Sequence, residues 1–324
     1  MLTVWAPAGV GEIAAGDDLA ATLLAAVAAD GGALREGDIV VITSKVVSKA
    51  EGLQRHATRD EALPGQTRRI VARRGPTRIV RNLLGLTMAA AGIDASNVEA
   101  GTILVLPTDP DATARAVRAA LQAATGLTLG VIITDTAGRA WRDGQTDIAI
   151  GAAGLTVLES FAGVEDAYGN PLVVTAPAVA DELASAAELG QGKLGARPFA
   201  VISGRADLVL PADQDGTGAG ALIRAEGSDL FGYGAREAVV RALKGDPADR
   251  LPFGAPSPAA DLIEALAELG VAADPSAVGA DGETVELALA AGTDTDRLAP
   301  LFFAFGWKVD TFTDACPHVS PQTP

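Results

Sequence analysis

The sequence predicts a mixed α+β fold, and three observations carry that expectation. Short β-branched runs end abruptly in polar residues, as buried strands do. Between them lie alanine- and leucine-rich stretches with helical spacing and capping residues. The two kinds of element follow each other without regular alternation, and a proline-dense break near Gly245 sets off a small α/β appendage.

Taken in order, Asp17 is placed to cap a helix from about Asp18 to Ala29. The turn pair Gly37-Asp38 introduces the strand Ile39 to Thr43. Weaker strand patterns run from Ile70 to Arg74 and from Arg78 to Val80. Gly101 to Leu106 is a strand stopped by Pro107, after which Asp109 and Pro110 open a helix reaching Ala124. The apolar strand Gly130 to Thr134 runs directly into Asp135. Val179, Leu183 and Ala187 mark the buried stripe of a helix from Ala178 to Leu189, and Phe199 to Ser203 reads as a strand. Asp213 to Gly220 is a flexible loop by composition, followed by a helix from Ala235 to Leu243.

Gly245-Asp246-Pro247 and the prolines at 252, 256 and 258 divide the chain into residues 1–245 and 246–324. In the second part Ser257-Pro258 starts a helix with Leu262, Ile263, Leu266 and Leu269 on one face. Thr284 to Leu289 and Lys308 to Phe312 read as strands, with a helix from Leu298 to Phe305 between them.

Composition narrows the function. The chain has 324 residues, of which 48% are hydrophobic but only 4% aromatic, so the core is aliphatic. A formal charge of −16 argues against a nucleic-acid partner. A nucleotide substrate would instead need a few placed lysines or arginines, or divalent ions. The single cysteine, Cys316, excludes an intrachain disulfide, and no leader-like or membrane-spanning run is present. A cytoplasmic protein without membrane contact is expected. Neither a P-loop nor a Rossmann glycine fingerprint occurs, and His56 and His318 are too few for a histidine metal cluster.

Four segments could carry chemistry. In Gly130-Val-Ile-Ile-Thr-Asp135-Thr136-Ala-Gly-Arg139-Ala-Trp-Arg142-Asp-Gly-Gln-Thr-Asp147, a strand delivers a carboxylate and a hydroxyl to its end and a loop adds two arginines. Hard oxygens suit Mg2+ or Mn2+, and arginines suit phosphate or carboxylate; a polar capping loop is the plainer alternative. Thr43-Ser44-Lys45-Val46-Val47-Ser48-Lys49 places hydroxyls and two lysines after another strand, either for phosphate or as a solvated surface turn. Asp94 and Asn97 share a turn that could face a ligand or be a simple Asx-turn. Gly190-Gln191-Gly192-Lys193 follows a helix, where glycines commonly end the helix.

Together and in order, these segments resemble the coenzyme F420-0:L-glutamate ligase family. The wording DIVVITSKVVSKAEG, NLLGLTMAAAGIDASNV, LPTDPDATARAVR and VIITDTAGRAWRDGQTDIAIGAAGL carries the likeness, as does YGNPLVVTAPAVADELASAAELGQGKLGARPFAVISG. The resemblance covers about residues 1–245. It implies mixed sheets in intertwined repeats, curled into half-barrels and capped by helices, in a homodimer. It also implies that GTP phosphorylates the terminal carboxylate of the phospholactyl side chain of F420-0, and that L-glutamate displaces the phosphate.

By the same resemblance Asp94, Asp135 and Thr136 match metal ligands, for Mg2+ or Mn2+ as two ions, with K+ as a further ion. Ser44, Lys49, Asn97 and the turn Val10-Gly11-Glu12-Ile13 match nucleotide contacts, as do Gly192 and Lys193. Archaeal-type members carry a metal-associated glutamine after the second-domain helix, and here that position reads as Lys193, as in bacterial-type members. Arg139 and Arg142 are assigned on chemistry to catalytic substrate or phosphate contacts. The alternatives are a related carboxylate-activating or phosphoryl-transfer enzyme, and a non-catalytic F420-binding protein.

Overall fold

The computed structural model describes residues 1–278, 285–313 and 316–322. It divides into two compact units, Met1–Ile223 and Arg224–Pro324.

The first unit is built on a five-stranded sheet in the order Thr3–Trp5, Phe199–Ser203, Ile39–Thr43, Gly130–Arg139, Arg142–Ala153. The fold is mixed α+β and this sheet curls as a half-barrel. Its neighbours are antiparallel except for Ile39–Thr43 and Gly130–Arg139, which run parallel. The continuous apolar runs in these two strands follow from burial on both faces. Val40, Ile42, Val131 and Ile133 pack against Leu19, Leu23 and Val27 of the helix Leu19–Ala29 and Val117 and Leu121 of the helix Pro110–Thr125. Ile39, Val41 and Ile132 point the other way, onto Val179, Leu183 and Ala187 of the helix Val179–Gln191. Each side chain thus alternates between two cores, as strand geometry requires.

A smaller sheet group lies beside it. Thr67–Arg74, Thr77–Asn82 and Thr87–Ala89 form an antiparallel set, and Gln54–His56 pairs with Thr102–Leu104. Val80, Ile93, Ile103 and Val105 share a separate core there.

Several expectations shift. Asp18, not Asp17, caps the first helix, accepting from Ala21 N at 3.0 Å, while Asp17 holds Ala14 N. The turn expected after Thr43 is a helix, Ser44–Ala50, with Lys49 buried. Most consequentially, the loop expected after Thr134 is a long hairpin, in which Gly130–Arg139 and Arg142–Ala153 pair along their length. Polar alternation beyond Thr134 conceals the strand, and Ala-Trp is not a usual hairpin turn pair. The glycine-rich loop after Asp213 is also held. Arg118, 1% exposed, donates to the carbonyls of Leu129, Leu210, Pro211 and Gln214 and to the Asp215 carboxylate.

The second unit contains a four-stranded antiparallel sheet in the order Ala273–Val278, Val285–Leu289, Cys316–Pro321, Trp307–Thr313. Thr284, the expected start of one strand, lies outside the described residues. Leu262, Leu266, Leu287, Leu298, Phe302 and Trp307 form its core. The division falls between Ile223 and Arg224 rather than at the proline-dense stretch after Gly245. The helix Ala235–Lys244 belongs to this unit because it packs on the helix Thr295–Phe305, and Tyr233 Oη donates to Asp249 O at 2.8 Å. Among the described residues, no helix is long and apolar enough to cross a membrane.

Candidate functional site

A cavity of about 520 Å3 in the first unit collects groups from six separate stretches of chain. Its floor follows from the parallel strand pair. Thr43 and Thr134 stand opposite each other in register, so the residues that follow them, Ser44 and Asp135, leave the sheet side by side. Ser44 Oγ donates to Asp135 Oδ1 at 2.8 Å. Ligand sites at the carboxyl ends of adjacent parallel strands are common, because both chains must turn away there and leave a crevice.

The hairpin adds the next layer. Thr136 lies opposite Asp147. Asp147 is buried and accepts from Thr136 Oγ1 at 2.6 Å and Thr134 Oγ1 at 3.1 Å. It thereby fixes both hydroxyls in the wall of the cavity.

Asp94 enters from the neighbouring sheet group, its backbone tied to Leu104. Ser96 N donates to Asp94 Oδ1 at 2.7 Å, which is an Asx-turn, yet the carboxylate also faces the cavity and pairs with Lys45 at 2.7 Å. The turn and the ligand readings are therefore compatible.

Three lysines line the cavity, each already paired. Lys45 holds Asp94, Lys49 holds Glu12, and Lys193 holds Glu188, with Asp147 at 3.7 Å. Lys193 also donates to Thr136 Oγ1 at 3.1 Å. The Lys49 ammonium is buried while Glu12 is exposed, so the solvated-turn alternative for Lys49 does not hold.

Electrostatics single out Asp135. Burial pushes its carboxyl up to about 7; the Ser44 hydroxyl and Thr136 N–H oppose the rise, while Asp147 and Asp94 add to it. Asp94 behaves oppositely: burial acts to raise its pKa, but Lys45 and the Ser96 groups hold it below the ordinary value. For Lys193, burial disfavours the charge, but Glu188 and Asp147 outweigh it and raise the pKa.

The oxygen donors of Asp94, Asp135, Thr136 and Asp147 suit a hard divalent cation in kind. As arranged, Asp94 and Asp147 are engaged by lysines. Among the described residues, no group of three or more His, Cys, Asp or Glu is gathered tightly enough to hold an ion.

Sequence comparison now bears directly on this cavity. The family described as F420-0:Gamma-glutamyl ligase matches residues 9–63 and 61–204. The chain belongs to the F420-0:gamma-glutamyl ligase family. A protein of Methanopyrus kandleri named Coenzyme F420:L-glutamate ligase is 38% identical over 240 residues, covering 68% of this chain and 93% of the relative. One of the same name from Methanothermobacter thermautotrophicus is 40% identical over 206 residues, covering 57% of this chain and 81% of the relative. Every residue that lines the cavity, from Val10 to Pro198, falls within the stretch matched to the gamma-glutamyl ligase family.

Within this family member the structure gathers most residues expected of the site. Val10, Gly11, Glu12, Ile13, Ser44, Lys49, Asp94, Asn97, Asp135, Thr136, Gly192 and Lys193 all line the cavity. Arg139 and Arg142 do not; they lie exposed at the hairpin tip, with Arg139 Nη2 donating to Asp143 O at 2.8 Å.

Asp147, Glu188 and Gln191 line the cavity without a role having been assigned to them, and Lys45 lines it as the other lysine of the segment that carries Lys49. Recognition of the hairpin would have found Asp147, since it places that carboxylate opposite Thr136. Gln191, two residues before Lys193, also lines the cavity. It ends the helix Val179–Gln191, is buried, and its Nε2 has no hydrogen-bond partner among the described residues.

Proposed function

We propose that the protein joins L-glutamate through its γ-linkage chemistry to coenzyme F420-0, using GTP and a divalent cation, by way of an acyl phosphate. The observation that carries this reading is the cavity itself: three aspartates and three lysines converge in the part of the chain matched to the family.

A carboxylate is a poor acceptor of an amine until one oxygen becomes a good leaving group. In this reading a carboxylate oxygen of the substrate attacks the γ-phosphorus of GTP and GDP departs. The glutamate amine then attacks the acyl carbon, and inorganic phosphate leaves with the bonding electron pair. Such transfer depends mainly on positioning and on neutralising charge.

Asp94, Asp135 and Thr136 would hold the cation, Mg2+ or Mn2+, with Asp147 bracing Thr136. When bound, a divalent ion supplies charge neutralisation on phosphate oxygens. Lys49 and Lys193 exchange their present carboxylates for the nucleotide phosphates, while Ser44, Asn97 and the Val10–Ile13 and Gly192 backbone shape the nucleotide pocket. Arg139 and Arg142 serve the anionic groups of the coenzyme. The family's intertwined repeats, a homodimer and a K+ requirement belong to the same reading.

Incubation with GTP, Mn2+, L-glutamate and F420-0, followed by mass spectrometry, tests it. Glutamylated coenzyme with release of GDP supports the proposal. GTP turnover that modifies only another carboxylate would favour a related activating enzyme, and coenzyme binding without turnover a binding protein.

A further inference from the structure

One side of the cavity is lined from the stretch 188–198, which carries a fourth cation, Arg197. Lys45, Lys49 and Lys193 are engaged by Asp94, Glu12 and Glu188. Among the described residues, Arg197 has neither an ion pair nor a side-chain hydrogen bond, and it is exposed. An anion entering the cavity has to displace a carboxylate to reach any of the lysines, and nothing to reach Arg197. Exchanging one anion for another gains little, whereas pairing this guanidinium gains a charge-assisted contact outright.

The backbone holds Arg197 in place. Pro198 follows it and biases it toward extended conformation. Thr43 N donates to Pro198 O at 3.0 Å, which ties this turn to the strand that delivers Ser44 to the cavity floor. On the other side Ala196 has φ 49°, a left-handed conformation in which a Cβ crowds the following carbonyl. Outliers of this kind collect at ligand clamps. The stem of Arg197 lies along Gly195, where a Cβ would meet Arg197 Cγ and Cδ at 3.6 Å and Gln191 O at 3.1 Å. The bare glycine thus leaves room for the arginine beside the end of the helix Val179–Gln191. In the same wall Gln191 is 5% exposed, with its Nε2 lacking a partner among the described residues.

We propose that Arg197 is the anchor through which the cavity takes up a small oxyanion, a carboxylate or a phosphate group whose oxygens meet the guanidinium fork. A guanidinium offers five N–H donors and no acceptor, so it selects groups that only accept. Carboxylate and phosphate present the same pair of acceptor oxygens to it. With the anion held, the lysines can exchange their carboxylates for its remaining oxygens. Arg197 is a binding residue and takes no part in making or breaking bonds. The inference stands on the residues of the cavity and is independent of which acid the proposed ligation activates.

The test compares the wild type with Arg197→Gln, Arg197→Lys and Arg115→Gln at low ionic strength. Each is titrated with inorganic phosphate and, separately, with glutarate, and the rise in melting temperature is followed against concentration. Arg115 is exposed on the helix Pro110–Thr125 and does not line the cavity, so its replacement makes the same change in net charge elsewhere. Without added anion all four should melt alike. Arg197→Gln should bind at least one of the two anions about 10-fold more weakly. Arg197→Lys, which keeps the charge and loses the fork, should lose less, and Arg115→Gln nothing. A loss for glutarate alone makes the anchor a carboxylate contact, a loss for phosphate alone a phosphate contact, and a loss for both a shared one. Equal affinities in wild type and Arg197→Gln overturn the proposal. So does an equal loss in Arg115→Gln, which would assign the attraction to net charge, and so does a wild type whose melting neither anion shifts.

Discussion

Ser44 and Asp135 are 91 residues apart in the chain, yet a 2.8 Å hydrogen bond joins them at the ends of two parallel strands. The pair forms the floor of the cavity, where burial raises the pKa of the Asp135 carboxyl.

Asp135→Asn should abolish glutamylation while leaving the protein folded. The pH dependence has a definite sign. Asp135 has a folded-state pKa of about 7 against an ordinary 3.8, so the unfolded state loses its proton first. Its contribution favours the fold at low pH and is lost as pH rises from about 4 to about 7, by at most roughly 4 kcal/mol. The asparagine variant should therefore melt higher than the wild type at pH 8, with the difference closing toward pH 4. Added Mn2+ should raise the melting temperature of the wild type and not of the variant. Near-normal glutamate incorporation by folded Asp135→Asn would remove this residue from the metal assignment.

Lys49→Ala should weaken GTP binding about 10-fold or more, because a charge-assisted contact to phosphate is lost. Glu12→Gln provides the contrast: it frees the buried ammonium from its exposed partner and should leave GTP binding equal or tighter. Calorimetric titration at moderate ionic strength separates the two. Equal GTP affinities in wild type and Lys49→Ala would assign this lysine a structural role only.

Asp147→Ala should cost about 1–3 kcal/mol of stability, since two threonine hydroxyls lose their buried acceptor. It should also loosen divalent-ion binding by freeing Thr136. Asp147→Asn, which keeps one acceptor oxygen, should lie between wild type and alanine in both denaturation and Mn2+ titration. A metal affinity unchanged in all three would confine Asp147 to the fold.

Arg118→Met should destabilise the first unit by about 3 kcal/mol or more, because several buried carbonyls lose their donor together. Gly154→Ala should act on the same contact: the backbone there has φ +65°, and a Cβ would lie 2.0 Å from Arg118 Nε. Chemical denaturation of both variants checks this, with the loop after Asp213 expected to become protease-sensitive first.

A chain ending at Ile223 should stay soluble and retain nucleotide binding, because the cores of the first unit are complete without later residues. One ending at Gly245 should be less soluble, since it keeps the helix Ala235–Lys244 and discards the helix it packs on. Light scattering and GTP titration of the two lengths test the division. Equal behaviour at Gly245 would restore the proline-dense break as the functional boundary.

The sequence alone determined the elements whose signals are local. Apolar β-branched runs gave Ile39–Thr43 and the start of Gly130–Arg139, and Asp109-Pro110 gave the helix Pro110–Thr125. The order of polar motifs sufficed for the family and for most cavity residues. What the chain did not disclose was adjacency. Nothing near Thr43 or Thr134 says that their strands lie parallel and in register, so Ser44 and Asp135 read as members of separate motifs. The hairpin was hidden because its outer half is polar and its turn lacks a glycine, and Asp147 was hidden with it. Local pattern left Lys49 open between a phosphate contact and a solvated turn, and only the folded neighbours show it buried. Spacing and capping depend on a few consecutive residues, whereas strand partners and buried ion pairs are chosen by long-range packing, which settles only when the whole unit folds.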